Sequence, residues 1–362
     1  MSDIAEYLKQ AVESGASDLF LVAGGPVSAK VDGQLRPIGG EKLLPPQTQS
    51  LIQGLYAMAN RPMDHYLATG DDDFSFALPG LARFRVNAYR QRGSMASVVR
   101  VVAFDIPDWR TLHIPEQVME LADLTHGMVL VTGTAGSGKS TTQACIIDRI
   151  NRSRSCHIIT LEDPIEYLHR DQKSIVSQRE IAIDTADYPS ALRACLRQAP
   201  DVILLGEMRD LDTIRTAMTA AETGHLVIAT LHTKGTVNTI DRIIDTFPPA
   251  QQGQIRMQLS TVLHTVVSQQ LLPGKSGELL PAYEVMHTNS AIRSLIRDCK
   301  SHQIDNAIAS GTAEGMLTMD QSLLDLYKAG SITMETAMDY ANHPEQMRRR
   351  LGLCAGGGLR MA

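Results

Sequence analysis

Aromatic residues make up only 4% of the 362 residues, and there is a single tryptophan. A surface that stacks successive bases needs aromatic side chains and positive charge. The formal net charge is −6, so a groove gripping nucleic acid is not expected. Cysteine is equally sparse. The five, at positions 145, 156, 195, 299 and 354, are scattered without a C-x-x-C pair, which points away from a disulfide scaffold and towards reduced, structural thiols. The 11 histidines form no H-E-x-x-H or other ligand cluster, so no dedicated metal centre is expected. No stretch approaches the roughly 18 apolar residues of a membrane span. Nor does Met1 to Leu21 show a basic region followed by an apolar run, so a signal peptide is not expected either. Ile4, Leu8 and Val12 space out instead like one face of an amphipathic helix. The expected location is the cytoplasm.

What is present is more specific. The hydrophobic share of 43% is enough for sizeable cores, and the length suggests two domains or slightly more. Gly133-Thr134-Ala135-Gly136-Ser137-Gly138-Lys139-Ser140 matches G-x-x-x-x-G-K-[ST], the loop that cradles nucleotide phosphates. Its surroundings suit that role. Met128 to Thr132 reads as a buried strand leading in, and Thr141 to Ile150 carries Ala144, Ile147 and Ile150 at helical spacing leading out. Glycines let the backbone turn so that successive N–H groups face an anion, and the helix start adds its positive dipole end. In this motif Lys139 reaches the β- and γ-phosphates and the Ser140 hydroxyl holds Mg²⁺. A nucleoside triphosphate and Mg²⁺ are therefore expected, with Gly133 to Thr141 binding the nucleotide.

The chain divides near residue 110. Residues 1–105 mix a helix with strand-like runs at Asp18–Val22, Ser28–Gly33 and Phe74–Leu78. Ala82–Tyr89 and Met95–Val102 alternate and suggest a hairpin in an antiparallel, α+β domain. Asp105–Pro115, with Trp109 and two prolines, reads as a connector within a linker spanning 106–118. From 119 to 287 strands alternate with helices. His157–Leu161, Asp201–Leu205 and Leu226–Leu231 are strand candidates, with helices at Tyr188–Ala199 and Asp210–Glu222. Such alternation after a phosphate loop predicts a mostly parallel sheet flanked by helices. Residues 288–350 read as amphipathic helices, and the tail 351–362, with its three consecutive glycines, as disordered.

Three further segments bear on what is done with the nucleotide. Asp201 to Glu207 is an apolar strand ending in a carboxylate. A strand beside the phosphate-loop strand is expected to deliver an acid to Mg²⁺ and the attacking water. Asp201 is at the wrong end of that strand, which makes Glu207 the candidate base. In Glu162-Asp163-Pro164-Ile165-Glu166, three acids follow a strand and Pro164 turns the chain; a solvated loop and a site remain equally open. His225 and His232 bracket one strand seven residues apart, so they cannot share one end of it, and a structural role is open for each.

The order of phosphate loop, Glu-Asp-Pro-Ile-Glu box, Gly206-Glu207 and the Thr-Gly-His…Leu-His-Thr box resembles the secretion and pilus ATPase superfamily, and within it the PilT-like retraction ATPases. The likeness covers nearly the whole chain. Gly15-Ala16-Ser17-Asp18-Leu19 and Ala82 to Asn87 resemble that family's PAS-like N-terminal domain. Gln178-Arg179-Glu180 and Ala191-Leu192-Arg193 also fit. Ala291-Ile292-Arg293-Ser294-Leu295-Ile296-Arg297-Asp298 is similar to the signature of retraction rather than assembly motors. Four departures from the pattern stand out: Thr134-Ala135 for Pro-Thr, Phe20 for His, Ala199 for an acid as in PilU-like accessory paralogues, and Ser294 for Asn.

The resemblance implies a PAS-like domain followed by a RecA-like ATPase core and C-terminal helices. It implies Glu207 as catalytic base, Glu166 as a second acid at the Mg²⁺–water network, and His225 and His232 on the γ-phosphate side. Arg85 and Arg100 would be arginine fingers, and Arg197 a weaker candidate for a contact between subunits. It further implies a homohexameric ring recruited to the inner face of the cytoplasmic membrane. There it would act on a platform protein, indirectly on the pilus fibre, and alongside a paralogous ATPase.

Overall fold

The computed structural model describes residues 4–31, 33–102 and 106–352. The chain falls into two compact units, Met1–Ile106 with Glu166–Leu168, and Pro107–Ile165 with His169–Ala362. The predicted tail from residue 353 on, Cys354 included, and Asp105 of the connector lie outside the described residues.

The first unit is built on six strands: β1 (Asp18–Leu21), β2 (Ser28–Val31), β3 (Gln34–Pro37), β4 (Asp71–Leu78), β5 (Ala82–Gln91) and β6 (Ser94–Val102). Their order is β3-β2-β1-β6-β5-β4, every neighbouring pair antiparallel. Strand alternation sorts the two faces. Along β5, Ala82, Phe84, Val86 and Ala88 are buried, while Arg83, Arg85 and Asn87 are not. The buried face meets helices Ile4–Glu13 and Pro45–Met58 through Ile4, Leu8, Leu51, Ile52, Leu55 and Tyr56. Sequence periodicity pointed to one helix here; there are three, including Asp64–Thr69. Thr48, Leu51, Ile52, Leu55 and Tyr56 form the buried stripe of the second, and its prolines sit at the helix start, where a missing N–H costs nothing.

The second unit carries β7 (Gly127–Thr132), β8 (His157–Glu162), β9 (Ile175–Glu180), β10 (Val202–Leu205), β11 (Leu226–Leu231), β12 (Leu263–Pro273) and β13 (Leu279–His287). The order is β13-β12-β7-β11-β10-β8-β9. All pairs are parallel except β12–β13. Every residue of β7, β10 and β11 is buried, as expected for a sheet covered on both faces. The order corrects one expectation. The acid-bearing strand β10 is not beside β7, because β11 lies between them.

Local chemistry starts several of the covering helices. Asp187 accepts from Ser190 N at 2.7 Å and Asp210 from Thr213 N at 2.9 Å, each satisfying a first-turn donor. The helix predicted to Ala199 ends at Cys195, and Ala199 itself adopts a positive φ of 51°. The C-terminal helices belong to this unit: Ile292, Ile296, Ile304 and Ile308 join its main apolar cluster.

Candidate functional site

The carboxyl edge of the parallel sheet gathers the chemistry of the second unit. β7 runs into the loop 133–138, and helix Lys139–Ser153 begins where Gly138 turns with φ 87°. Gly133 shows why glycine is required. Its φ is 147°, and a Cβ there would collide with the Gln269 carbonyl and stand 2.5 Å from Ser137 Oγ. The first turn of the helix leaves N–H groups without helix partners. Ser137 Oγ is buried without a hydrogen-bond partner. An anion with several acceptor oxygens is the ligand such a cradle lacks.

Lys139 is 7% exposed. Its Nζ donates to the carbonyls of Gly133 (3.0 Å) and Thr134 (2.9 Å) and lies 3.3 Å from His232 Nδ1. An ammonium can only donate, so Nδ1 of a neutral His232 is the acceptor and Nε2 carries the proton. That Nε2 lies 3.3 Å from Glu207 Oε1. Lysine, histidine and glutamate thus form one line from three strand ends. Arg209 completes it, its guanidinium 2.7 Å from Glu207 Oε2. Burial pushes the Glu207 carboxyl up, but Arg209 and His232 outweigh it and hold the group below its ordinary value. Glu207 is therefore ionised at neutral pH, as a base must be.

The two histidines part company. Gly133 N donates to Leu231 O, placing His232 beside the phosphate loop, whereas Gly127 N donates to His225 O at the other end of β7. His225 Nδ1 lies 2.9 Å from Ala220 O, at the end of helix Leu211–Glu222. The expectation that both serve one γ-phosphate is corrected within a single chain: the length of β11 separates them.

Of the three acids after β8, Glu162 ends the strand. It accepts from Thr160 Oγ1 (2.6 Å) and Gln178 Nε2 (3.2 Å). Its Cα would be 3.3 Å from a Cβ added at Gly206, so Glu162 borders the Glu207 strand end. Glu166 belongs to the first unit. Arg85 and Arg100 also belong to the first unit, directly opposite each other on β5 and β6. Arg100 Nε is 3.0 Å from Asp18 Oδ1, and Arg85 Nε 3.9 Å from Asp73.

Sequence reasoning missed three groups. Arg209 carries no motif. Glu162 was visible only as one of three acids. Gln269 accepts from Thr142 Oγ1 at 2.7 Å and packs on Gly133 and Gly138. Its signal was a polar Ser268-Gln269-Gln270 run inside an otherwise apolar strand. Beside the helix that follows the loop lies a cavity of about 250 Å³ lined by His113, Ile114, Thr141, Leu271, Leu279 and Tyr283. Among the described residues no three or more His, Cys, Asp or Glu cluster to hold a metal. No helix among them is long and apolar enough to cross a membrane.

In the helix Ser290–Arg297, Ile292 and Ile296 are buried, Arg293 is half-buried and Arg297 exposed. Asn289 caps it, accepting from Ile292 N at 3.0 Å, and Arg293 Nη1 reaches Thr261 O at 3.4 Å.

A family model described as "Type II/IV secretion system protein" matches residues 1–350. The chain is 44% identical over 344 residues to the type IV pilus retractation ATPase PilT of Pseudomonas aeruginosa, covering 95% of this chain and 99% of that one. It is 38% identical over 352 residues to the type IV pilus ATPase PilU of the same organism, covering 97% and 92%. The crystal structure of the pilus retraction motor PilT with bound ADP superposes with a TM-score of 0.88 at 45% identity, covering 96% of this chain and all of that one.

Proposed function

The chain belongs to the type II/IV secretion system protein family, and from that premise we propose that it is an ATPase motor powering type IV pilus retraction. The observation that carries the reading is the line Lys139–His232–Glu207 at the mouth of a glycine-shaped phosphate loop. ATP would lie with its phosphates on the backbone of Gly133 to Ser140 and its base in the cavity beside Thr141 and Tyr283. Lys139 would exchange its loop carbonyls for β- and γ-phosphate oxygens. Ser140 would hold Mg²⁺, with Glu162 bordering the same edge; the ion supplies charge neutralisation on the phosphates when bound. Glu207 would orient and deprotonate the attacking water, and His232 would relay the state of the γ-phosphate to it.

Glu166, Arg85 and Arg100 would act when the two units close on one nucleotide. Guanidinium groups would then neutralise charge on the transferring phosphoryl. The antiparallel order of the first unit supports a PAS-like reading, and the parallel order with β11 between β7 and β10 a RecA-like one. A homohexameric ring, built by heterologous contacts that close on rotation, would be recruited from the cytoplasm to the membrane's inner face. It would act there on a platform protein, with or without a paralogous ATPase. Identity of 44% to the retraction ATPase against 38% to PilU favours the principal motor over the accessory one.

Deleting the gene from a pilus-bearing cell should leave it hyperpiliated and non-motile. Normal twitching after deletion would sink the motor reading. Arg293→Ala with Arg297→Ala should spare ATP turnover and abolish retraction, as expected of a docking face remote from the nucleotide. A proportional loss of both would place that helix inside the catalytic cycle.

A further inference from the structure

β7, β12 and β13 run side by side, and their register sets Thr132, Ser268 and Glu284 in one row. All three are buried, at 0%, 1% and 4% exposure. A covered sheet ordinarily carries apolar side chains at such positions. This row instead faces the segment that follows His232. Ser268 Oγ accepts from Gly235 N at 2.9 Å. Glu284 Oε1 accepts from Thr236 N at 2.7 Å and from Thr236 Oγ1 at 2.8 Å. Thr132 Oγ1 lies 3.4 Å from Thr239 Oγ1, which is 2.8 Å from Thr233 Oγ1. Two successive backbone N–H groups are thus gripped by two cross-strand neighbours. The turn between them needs Gly235, whose φ is 79°.

We infer that Glu284 is a positioning residue for ATP hydrolysis: it anchors the start of helix Thr236–Asp245 and so fixes the short loop that carries His232 between Lys139 and Glu207. The inference rests on the ATPase reading above. Only three residues, Thr233 to Gly235, separate His232 from the anchored Thr236, so slack at the anchor is slack at the imidazole.

The chemistry of the anchor is specific. Its donors are the Thr236 amide, the Thr236 hydroxyl, the Met319 amide and Asn342 Nδ2, the last 3.3 Å from Oε2. A carboxylate, which only accepts, suits four donors. A negative group is also favoured at a helix N-terminus. Against this stands burial, which moves the carboxyl above its ordinary value despite those bonds. Burial and hydrogen bonding thus pull this carboxyl in opposite directions, and exchange for an amide separates a positioning role from a merely structural one. If Glu284 served stability alone, an amide of the same shape would do as well or better.

The test uses the full-length purified chain and Glu284→Gln, which keeps the shape and one acceptor but removes the charge. Steady-state ATP hydrolysis, thermal unfolding and amide hydrogen exchange are measured together. Turnover should fall about tenfold with KM changed less than about twofold, because small displacements of catalytic groups act on kcat. Tm should stay level or rise. Exchange at Thr236 should speed up, since a bond to a charged acceptor is roughly twice as strong as a neutral one, while Gly235, held by Ser268, is the internal reference. Thr236→Val, which deletes only the hydroxyl donor, should reproduce a smaller fall in kcat. Wild-type kcat in both variants would overturn the inference. So would a loss of turnover that merely tracks a loss of folded protein. Failure of the ATPase reading would show differently, as no hydrolysis by the unsubstituted chain.

Discussion

The two sheets handle polar residues in opposite ways. In the first unit β2, β4 and β5 alternate, and one cross-strand row carries Lys30, Asp18, Arg100, Arg85 and Ser75. In the second unit β7, β10 and β11 are buried throughout, and chemistry is pushed to the strand ends. An antiparallel sheet with one solvated face can offer a charged surface, whereas a parallel sheet covered on both sides can offer only its edges. The consequence is a division of labour. The edge holds groups in fixed mutual geometry, as with Lys139, His232 and Glu207. The face presents long arginines to whatever approaches it.

Substitutions at the edge and on the face should therefore fail differently. The largest effect is expected at the edge: Glu207→Gln should cut ATP turnover about 10³-fold while leaving nucleotide affinity nearly unchanged. Equilibrium binding beside a turnover assay checks it, and equal loss of both would remove Glu207 from the role of base. Lys139→Ala, read in the same pair of assays, should instead weaken binding.

On the face, Arg85→Ala and Arg100→Ala should each lower turnover by about a hundredfold, since two groups share a task worth about 10³–10⁵ when one arginine performs it. Thermal unfolding should hardly move for Arg85→Ala, whereas Arg100→Ala should lower Tm because it leaves buried Asp18 without its ion-pair partner. Undiminished turnover in either variant would leave that arginine as part of a solvated surface and sharpen the comparison against the face.

A smaller effect should appear in pH dependence. The Glu207 carboxyl is held low by Arg209 and His232 against burial, which works to raise it. Arg209→Ala removes one of the opposing groups, so the acid limb of the kcat/KM profile should move to higher pH. A limb that stays put would mean that Arg209 does not hold the Glu207 carboxyl low in the free enzyme. The smallest effect belongs to the opposite edge: His225→Ala should change turnover less than about twofold, since its ring bonds the end of a helix rather than the phosphate loop. A collapse of activity there would show that a neighbouring chain brings His225 to a nucleotide.

Much of this was legible along the chain. Leu226–Leu231 was read as a strand with its bounds as found, and the hairpin of β5 and β6 to within two residues. Both carry strong period-two or continuous apolar signals. The helix Pro45–Met58 was missed although Leu51, Ile52, Leu55 and Tyr56 keep helical spacing; its two leading prolines and Gly54 read as turn residues. The neighbour of β7 was misassigned because strand order leaves no trace in local pattern.

The sequence by itself determined the phosphate loop, the carboxylate at a strand end and the presence of two unlike domains. These depend on short-range constraints: glycine where φ is positive, apolar residues where strands are covered, caps where helices start. Only the tertiary structure decided that β11 separates β7 from β10 and that His232 and not His225 meets Lys139. The same holds for Arg209 on Glu207 and for Ser268 and Glu284 gripping Gly235 and Thr236. Those pairings join residues distant along the chain, and what selects them is the register of neighbouring strands, which is fixed when the whole sheet packs against its helices.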